Sequence, residues 1–223
     1  MSRFFRLGLT GWPLAHSLSP RLHQAALQAC ALDGEYRLYP IPPLPAGQAA
    51  LAHLLDRLRQ GELDGLNVTI PHKRSVLPLV DFLTPAALAT GAVNTLFRSG
   101  EQIVGENTDA AGFWSDLEDQ ASKLIPSGLL HPGKALVLGA GGAARAVVYA
   151  LCLHGWQVTL LSRRPAQAQQ VAEDLARFTP APIALAQPLD EAATQLAGLP
   201  FDLLVNTTPL GMQPHAADSP WLE

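Results

Sequence analysis

One glycine-rich segment in the second half of the chain has the spacing of a dinucleotide-binding turn. Its residues are Gly139-Ala140-Gly141-Gly142-Ala143-Ala144. They match the form G-x-G-x-x-A, follow a predicted strand and open a predicted helix, which is the context that this motif requires. Gly139 would permit a tight turn, Gly141 would let the backbone approach a pyrophosphate, and Ala144 would allow close packing of helix on strand. The alternative is a structural glycine turn in another α/β protein.

The next predicted strand ends at Ser162-Arg163-Arg164, where this type of fold distinguishes NAD from NADP. Folds that prefer NAD place an acidic side chain here, which accepts a hydrogen bond from the ribose 2′-hydroxyl. Two guanidinium groups suit a 2′-phosphate instead, because arginine presents a planar fork of donors to phosphate oxygens. The pair predicts NADP(H) as the cofactor. The alternative, strongest for Arg164, is a solvated arginine at the start of a helix.

Polar residues that could bind a small molecule or move a proton form four clusters in the first half. They are Ser17-Leu18-Ser19, Asn67-Val68-Thr69-Ile70-Pro71-His72-Lys73, Asn94-Thr95 and Asn107-Thr108-Asp109. Each has a simpler explanation when taken alone. Ser19 would serve as a helix cap, Asn67 and Thr69 as hydrogen-bonding residues at a strand end, and Asp109 as a first-turn carboxylate of a helix that runs to Gln120.

The elements that must position these clusters alternate between strand and helix. In the first half we predict strands at 4–9, 35–39 and 63–69, helices at 20–30 and 48–59, and a hairpin of 93–97 with 102–105 turned at Ser99-Gly100. Serine at position 19 would cap the first helix, and Pro20 would occupy its first turn. A mixed sheet follows from this order of elements.

The second half has the pattern of a parallel, doubly wound sheet. After a connection at 123–134 we predict strands at 135–138, 158–161 and 202–205, and helices at 142–154 and 165–178. Strands and helices that alternate with short links favour a parallel arrangement.

Composition excludes several classes of protein. The 223 residues carry a formal net charge of −4, from 15 Lys plus Arg against 19 Asp plus Glu, so no broad basic field predicts a nucleic acid or membrane partner. Cys30 and Cys152 are too few for a disulfide framework or a metal cluster. The most apolar stretch, 135–156, contains four glycines with Arg145 and His154, which argues against a membrane span. We expect a cytoplasmic protein of one large or two modest lobes, without a metal.

In their order and context, the polar clusters resemble those of the shikimate dehydrogenases. The matching motifs are Ser17-x-Ser19, Asn67-Val68-Thr69-x-Pro71-x-Lys73, Gly105-x-Asn107-Thr108-Asp109-x-x-Gly112, Gly139 to Ala144, and Asn206-Thr207-Thr208-Pro209-Leu210-Gly211-Met212. The resemblance covers nearly the whole chain. It implies an α/β fold with an N-terminal substrate-binding lobe (1–110) built on a mixed sheet, a C-terminal Rossmann-type NADP-binding lobe (111–223), and a cleft between them.

The resemblance also implies a reaction and its residues. The family reduces 3-dehydroshikimate to shikimate with NADPH, in the pathway to chorismate and the aromatic amino acids. Ser17 and Ser19 would bind the substrate carboxylate, while Asn67, Thr69, Asn94 and Asp109 would contact the ring and its hydroxyls. Lys73 and Asp109 would form the catalytic pair, in which Lys73 donates the proton and Asp109 stabilises its charge. Asn206, Thr207, Thr208 and Met212 would join the glycine turn and Ser162 to Arg164 at the cofactor.

Two features of the chain depart from the family pattern. The family commonly has Asn-Arg-Thr where this chain has Ser162-Arg163-Arg164, which keeps one arginine and adds another. Relatives also continue beyond the position of Glu223, so we expect the second lobe to be incomplete at its C-terminus.

Two alternative functions remain at this point. A quinate/shikimate dehydrogenase of broader specificity would share Lys73 and Asp109, but Arg163 and Arg164 favour NADP and argue against it. A non-catalytic metabolite-sensing module would need the pocket without the proton donor, so Lys73 argues against that one. We interpret His16 and His72 as loop residues with incidental polar contacts, and we expect a monomer or a homodimer.

Overall fold

The computed structural model describes residues 3–125, 127–180, 183–185, 200–211 and 217–219. The chain divides into two compact units, Met1–Thr108 and Asp109–Glu223. Each unit has its own sheet.

The sheet of the first unit has six strands. They are β1 (Phe4–Gly11), β2 (Asp33–Pro40), β3 (Gly65–Val68), β4 (Phe82–Leu83), β5 (Thr95–Ser99) and β6 (Gln102–Glu106). Their order is β2-β1-β3-β5-β6-β4. Strand β1 is parallel to β2 and β3, whereas β5 is antiparallel to β3 and β6. The mixed sheet and its hairpin are therefore confirmed.

Three helices belong to the first unit, namely α1 (Ser19–Ala29), α2 (Gln48–Arg59) and α3 (Pro85–Thr90). Helix α2 has the bounds that its apolar spacing predicts. Its leucines at 51, 54, 55 and 58 are buried in one core cluster with Leu66 of β3 and Leu96 of β5. Each such leucine contributes about 1.5–3 kcal/mol by leaving water. This packing supports the strand ends that carry Asn67 and Asn94.

The start of α1 differs from the prediction. Ser19 is the first helical residue, Leu18 occupies the cap position, and Pro20 lies in the first turn as expected. The hydroxyl of Ser17 accepts a hydrogen bond from the Ser19 backbone N–H at 3.3 Å. The prediction of Ser19 as the cap is therefore wrong, because the hydroxyl two residues earlier satisfies this donor.

The parallel arrangement predicted for the second unit is confirmed, and the described residues of this unit form four strands where three were predicted. They are β7 (Lys134–Leu138), β8 (Gln157–Leu161), β9 (Ala184–Leu185) and β10 (Leu203–Asn206), in the order β10-β7-β8-β9. Its helices are α4 (Asp109–Leu124), α5 (Gly142–Leu153) and α6 (Pro165–Leu175). The chain runs outward from β7 to β8 and β9, and then returns to form β10 on the other side of β7. Doubly wound sheets bind ligands at such a point, outside the carboxyl ends of the strands.

In the described part of the chain, no helix has both the length and the apolar character that a membrane crossing needs.

Candidate active site

Lys73 lies in a tight turn that follows β3. The Lys73 carbonyl accepts a hydrogen bond from the Val93 N–H at 2.8 Å, and the Thr69 carbonyl accepts one from the His72 N–H at 2.9 Å. The side chain of Lys73 is half-buried. The backbone around the predicted proton donor is thus attached to the segment that leads into β5.

His72 corrects one interpretation from sequence. It is fully buried, and its Nε2 donates to the Ile41 carbonyl at 2.8 Å. This bond joins the turn before Lys73 to the segment that follows β2, so its polar contact is not incidental. His16, by contrast, is exposed.

Asn94 connects three parts of the first unit through hydrogen bonds. Its carbonyl accepts from the Val68 N–H at 2.8 Å, and its own N–H donates to the Glu106 carbonyl at 3.0 Å. Its side-chain Oδ1 accepts from the Thr108 N–H at 3.0 Å, and its Nδ2 donates to the Thr108 hydroxyl at 2.9 Å. The backbone of Asn94 thus connects β3 with β6, while its side chain holds Thr108, the residue before Asp109.

Asp109 is the first residue of α4 and directly follows Thr108. A carboxylate in the first turn is favourable, since the N-terminus of a helix carries a partial positive charge. Asp109 belongs to the second compact unit, and Lys73 to the first. The pairing of these two side chains stays a prediction.

Asn67 is bonded on both sides of its amide. The Tyr36 hydroxyl donates to Asn67 Oδ1 at 2.8 Å, and Asn67 Nδ2 donates to the Thr95 hydroxyl at 3.2 Å and to the Asn94 carbonyl at 3.4 Å. The structure thus joins Asn67 and Asn94, which the sequence predicted as substrate residues. Thr69 lies two residues beyond Asn67, and its N–H donates to the Thr10 carbonyl at 2.9 Å. Sequence reasoning did not single out Tyr36.

In the second unit, the glycine turn joins β7 to α5 and lies beside the end of β10. Gly139 has a φ of +107°, and a Cβ there would lie 2.6 Å from the Thr207 hydroxyl oxygen. Thr207 donates to the Leu138 carbonyl from its N–H at 2.9 Å and from its hydroxyl at 2.6 Å. Glycine is required at 139 for both its backbone conformation and the close approach of Thr207.

A pocket at the carboxyl ends of β7, β8 and β10 contains most of the predicted cofactor residues. The predicted residues that line it are Gly139, Ala140, Gly141, Ser162, Arg163, Arg164, Thr207 and Thr208. A Cβ at Gly141 would meet no atom within 4 Å, so the backbone here is open to the approach of a ligand. Gly142, Ala143 and Ala144 form the first turn of α5. The arrangement fits a dinucleotide, with glycine backbone for the phosphates and two exposed arginines beside it.

The pocket also contains residues that the sequence did not predict. Gln167 of α6 lines it, as do Pro209 and Leu210. Asn206 supports the loop rather than the pocket lining, because its Oδ1 accepts from the Thr208 N–H at 2.9 Å and its Nδ2 donates to the Leu210 carbonyl at 3.0 Å. Met212, the remaining predicted cofactor residue, lies outside the described residues. In the described ranges, no group of three or more His, Cys, Asp or Glu side chains is arranged to hold a metal ion.

Comparison with known proteins identifies the family. Residues 9–96 match the family model described as the shikimate dehydrogenase substrate binding domain. The shikimate dehydrogenase (NADP(+)) of Salinibacter ruber is 42% identical over 216 residues, which span 96% of this chain and 72% of that protein. The chain belongs to the shikimate dehydrogenase family.

Solved structures of this family and of one neighbouring enzyme share the fold. The shikimate 5-dehydrogenase of Thermus thermophilus, solved with NADP(H) and shikimate, is 35% identical with a TM-score of 0.79, over 98% of this chain and 73% of that one. Quinate dehydrogenase from Corynebacterium glutamicum, solved with NAD, is 30% identical with a TM-score of 0.79, over 96% and 74%. Since both match equally well in backbone, the fold alone does not distinguish the two kinds of enzyme.

Proposed function

We propose that this protein catalyses the reversible, NADPH-dependent reduction of 3-dehydroshikimate to shikimate, in the pathway to chorismate and the aromatic amino acids. The observation that carries the proposal is the pocket that combines the glycine turn with Arg163 and Arg164, in a chain that keeps Lys73. The names of its relatives support the same reaction.

The pocket residues divide into two groups by the part of NADPH that they would hold. Backbone N–H groups at Gly141 and the start of α5 would bind the pyrophosphate, where the positive end of the helix favours anions. Arg163 and Arg164 would bind the 2′-phosphate, and Ser162 supports their loop because its hydroxyl accepts from the Arg164 N–H at 3.2 Å. The bound cofactor would supply a hydride to the ketone carbon of the substrate.

Lys73 and Asp109 are proposed as the catalytic pair. Reduction of a ketone leaves negative charge on its oxygen, so a positioned ammonium can both stabilise that charge and donate the proton. Asp109 would orient Lys73 and favour its charged form. Two hydrogen bonds support this pairing. The Lys73 carbonyl accepts from the Val93 N–H, and the Thr108 hydroxyl accepts from the Asn94 side chain. The segments that carry Lys73 and Asp109 are therefore attached to neighbouring residues.

Apart from Asp109, the residues that we propose for the substrate site lie on the first unit. The Ser17 hydroxyl already accepts from the Ser19 N–H, which leaves its O–H proton available for the substrate carboxylate. Ser19 would provide a second hydroxyl. Asn67, Thr69 and Asn94, with Asp109, would contact the ring hydroxyls. The NH₂ group of Asn67 already donates to two protein acceptors. Its Oδ1 is therefore the atom that would accept a hydrogen bond from a substrate hydroxyl.

The decisive experiment measures oxidation of NADPH by the purified protein with 3-dehydroshikimate, and the reverse reaction with shikimate and quinate, each with NADP and NAD. We expect activity with shikimate and NADP, and a much lower kcat/KM with quinate or NAD. Comparable efficiency with quinate and NAD would favour a quinate dehydrogenase. Binding of shikimate without turnover would favour a metabolite sensor. A cytoplasmic location and a monomeric or homodimeric state remain predictions.

A further inference from the structure

Tyr36 of β2 reaches a residue of the proposed substrate site across an intervening strand. Strand β1 lies between β2 and β3, yet the Tyr36 hydroxyl donates to Asn67 Oδ1 at 2.8 Å. The tyrosine is only 8% exposed. Its ring lies parallel to that of His23 in α1, with 4.3 Å between the ring centres. The stacking between α1 and β2 thus holds the ring whose hydroxyl contacts β3.

The Asn94 carbonyl sets which way the Asn67 amide faces, and Tyr36 stabilises that orientation. The Asn94 carbonyl can only accept, so the NH₂ group of Asn67 must point toward β5. The oxygen then points toward β2, where Tyr36 supplies a donor. If that donor were removed, the amide oxygen would lose this partner, and the amide would be held only through its NH₂ group.

The Tyr36 hydroxyl stays protonated in this environment. Burial raises the pKa of the Tyr36 phenol well above its ordinary value, and the Ser19 side chain acts on it in the opposite direction and more weakly. The phenol is therefore protonated at any physiological pH and remains a donor to Asn67. The Tyr36 hydroxyl thus donates to a residue that the family resemblance assigns to the ring of the substrate.

We propose that Tyr36 is a positioning residue of the substrate site, which holds the Asn67 amide in place for the incoming substrate. This inference rests on the proposed function. Tyr36 acts through groups that bind substrate, so its hydroxyl should affect substrate binding far more than the chemical step or the binding of cofactor.

The test compares Tyr36→Phe with Tyr39→Phe, a matched control in the same strand. Each change removes one oxygen, and Tyr36→Phe keeps the ring that stacks on His23. The Tyr39 ring lies under the Arg57 guanidinium at 5.7 Å, and its hydroxyl is not part of the proposed site. For Tyr36→Phe we expect the KM for 3-dehydroshikimate and the Kd for shikimate to rise about tenfold, as for loss of one well-placed hydrogen bond. The KM for NADPH and kcat should change less than about threefold, because the lost hydrogen bond stabilises the bound substrate and the transition state equally.

A double-mutant cycle checks that Tyr36 acts through Asn67. In an Asn67→Ala background, Tyr36→Phe should raise the shikimate Kd less than it does in the wild type, since the two residues act as a unit. Equal effects in the two backgrounds would overturn the route through Asn67. All variants are assayed at a temperature at which their circular dichroism matches that of the wild type.

The outcomes separate this inference from the proposed function. A lower melting temperature for Tyr36→Phe with unchanged KM and Kd would show a purely structural hydroxyl and overturn the inference alone. A rise of similar size in Tyr39→Phe would overturn it as well. Wild-type protein that neither binds shikimate nor reduces 3-dehydroshikimate would contradict the proposed function itself, and the inference with it.

Discussion

The side chain of Asn94 holds Thr108 by two hydrogen bonds, accepting from its N–H at 3.0 Å and donating to its hydroxyl at 2.9 Å. Thr108 is the last residue of the first compact unit, and Asp109 begins the next. The relationship fixes the backbone immediately before a proposed catalytic carboxylate. Asn94, which the family resemblance assigns to substrate binding, therefore also stabilises the structure.

Replacement of Asn94 by Ala should therefore reduce both stability and turnover. The side chain is 9% exposed, and its loss leaves the Thr108 N–H without its acceptor, at a cost of about 1–3 kcal/mol in the free energy of unfolding. Urea denaturation measures that cost. Thr108→Ser is the control, since it keeps the hydroxyl and the backbone donor and should unfold near the wild-type midpoint. An Asn94→Ala protein with wild-type stability would contradict the role of these bonds.

Lys73→Ala should nearly abolish turnover while the affinity for NADPH stays close to that of the wild type. Loss of a general acid typically costs about 10²- to 10⁴-fold in rate, and Lys73 belongs to the first unit whereas the nucleotide pocket belongs to the second. Single-turnover rates and NADPH titration measure the two effects. Lys123→Ala is the matched control, because Lys123 is exposed and pairs with Asp119 at 2.5 Å on α4. Undiminished turnover in a folded Lys73→Ala protein would exclude it as the proton donor.

Asp109→Asn should also lower kcat, and its effect should not add to that of Lys73→Ala. If Asp109 acts by stabilising the charged lysine, it has little left to contribute once the lysine is gone, so the double mutant should lose less than the two effects together. The kcat values of the four proteins in the cycle give the coupling. Simple additivity would mean that the two residues act separately.

The sequence predicted the larger elements of the fold because their apolar patterns are long enough to be periodic. Helix α2 has four leucines on one face, and residues 135–138 of β7 are a continuous apolar run, which is typical of a strand buried on both sides. Strand β4 and helix α3 were not predicted. With two and six residues, they are too short to display a period, and β4 is defined instead by its pairing with β6.

The candidate site was predictable only where its residues form motifs along the chain. Ser17, Asn67, Lys73, Gly139 and Arg163 stand in such motifs. Contacts between distant segments leave no local pattern, and this is why Tyr36, which is 31 residues from Asn67 and separated from it by β1, was missed. Gln167 was missed for a related reason. It enters the nucleotide pocket because α6 begins directly after Arg164, and nothing in its own residue type indicates a phosphate contact.

Arg163→Ala should weaken NADPH binding much more than NADH binding. A charge-assisted hydrogen bond to the 2′-phosphate is worth about 1.5–3 kcal/mol, which corresponds to a rise in the NADPH Kd of roughly 10- to 150-fold, and NADH has no group for it to bind. Fluorescence titration with both cofactors measures the difference. Arg177→Ala, at an exposed position after α6, controls for loss of one positive charge in the same unit. Equal weakening of the two cofactors would show that Arg163 does not contact the 2′-phosphate.

Two glycines of the same turn should respond differently when each is changed to alanine. Gly139 has a φ of +107°, and its new Cβ would lie 2.6 Å from the Thr207 hydroxyl oxygen, so Gly139→Ala must strain the backbone and displace Thr207. We expect it to lower the melting temperature in the absence of any ligand, with a cost of about 1–3 kcal/mol.

Gly141→Ala should instead leave the fold intact and weaken the cofactor. Gly141 has a φ of −87°, which alanine adopts freely, and its Cβ would meet nothing within 4 Å. Its melting temperature without ligand should therefore equal or slightly exceed that of the wild type, because alanine reduces the entropy of the unfolded chain. The open space at Gly141 faces the pocket in which we place the pyrophosphate, and a methyl group there would keep the phosphates from the backbone N–H groups at the start of α5. We expect the Kd for NADPH and for NADH to rise together, in contrast to the selective effect of Arg163→Ala. Thermal melts and titrations of the two alanine variants, run side by side, distinguish the roles. If Gly141→Ala bound NADPH as tightly as the wild type, the pyrophosphate would have to lie elsewhere in the unit, and the assignment of this turn would be wrong.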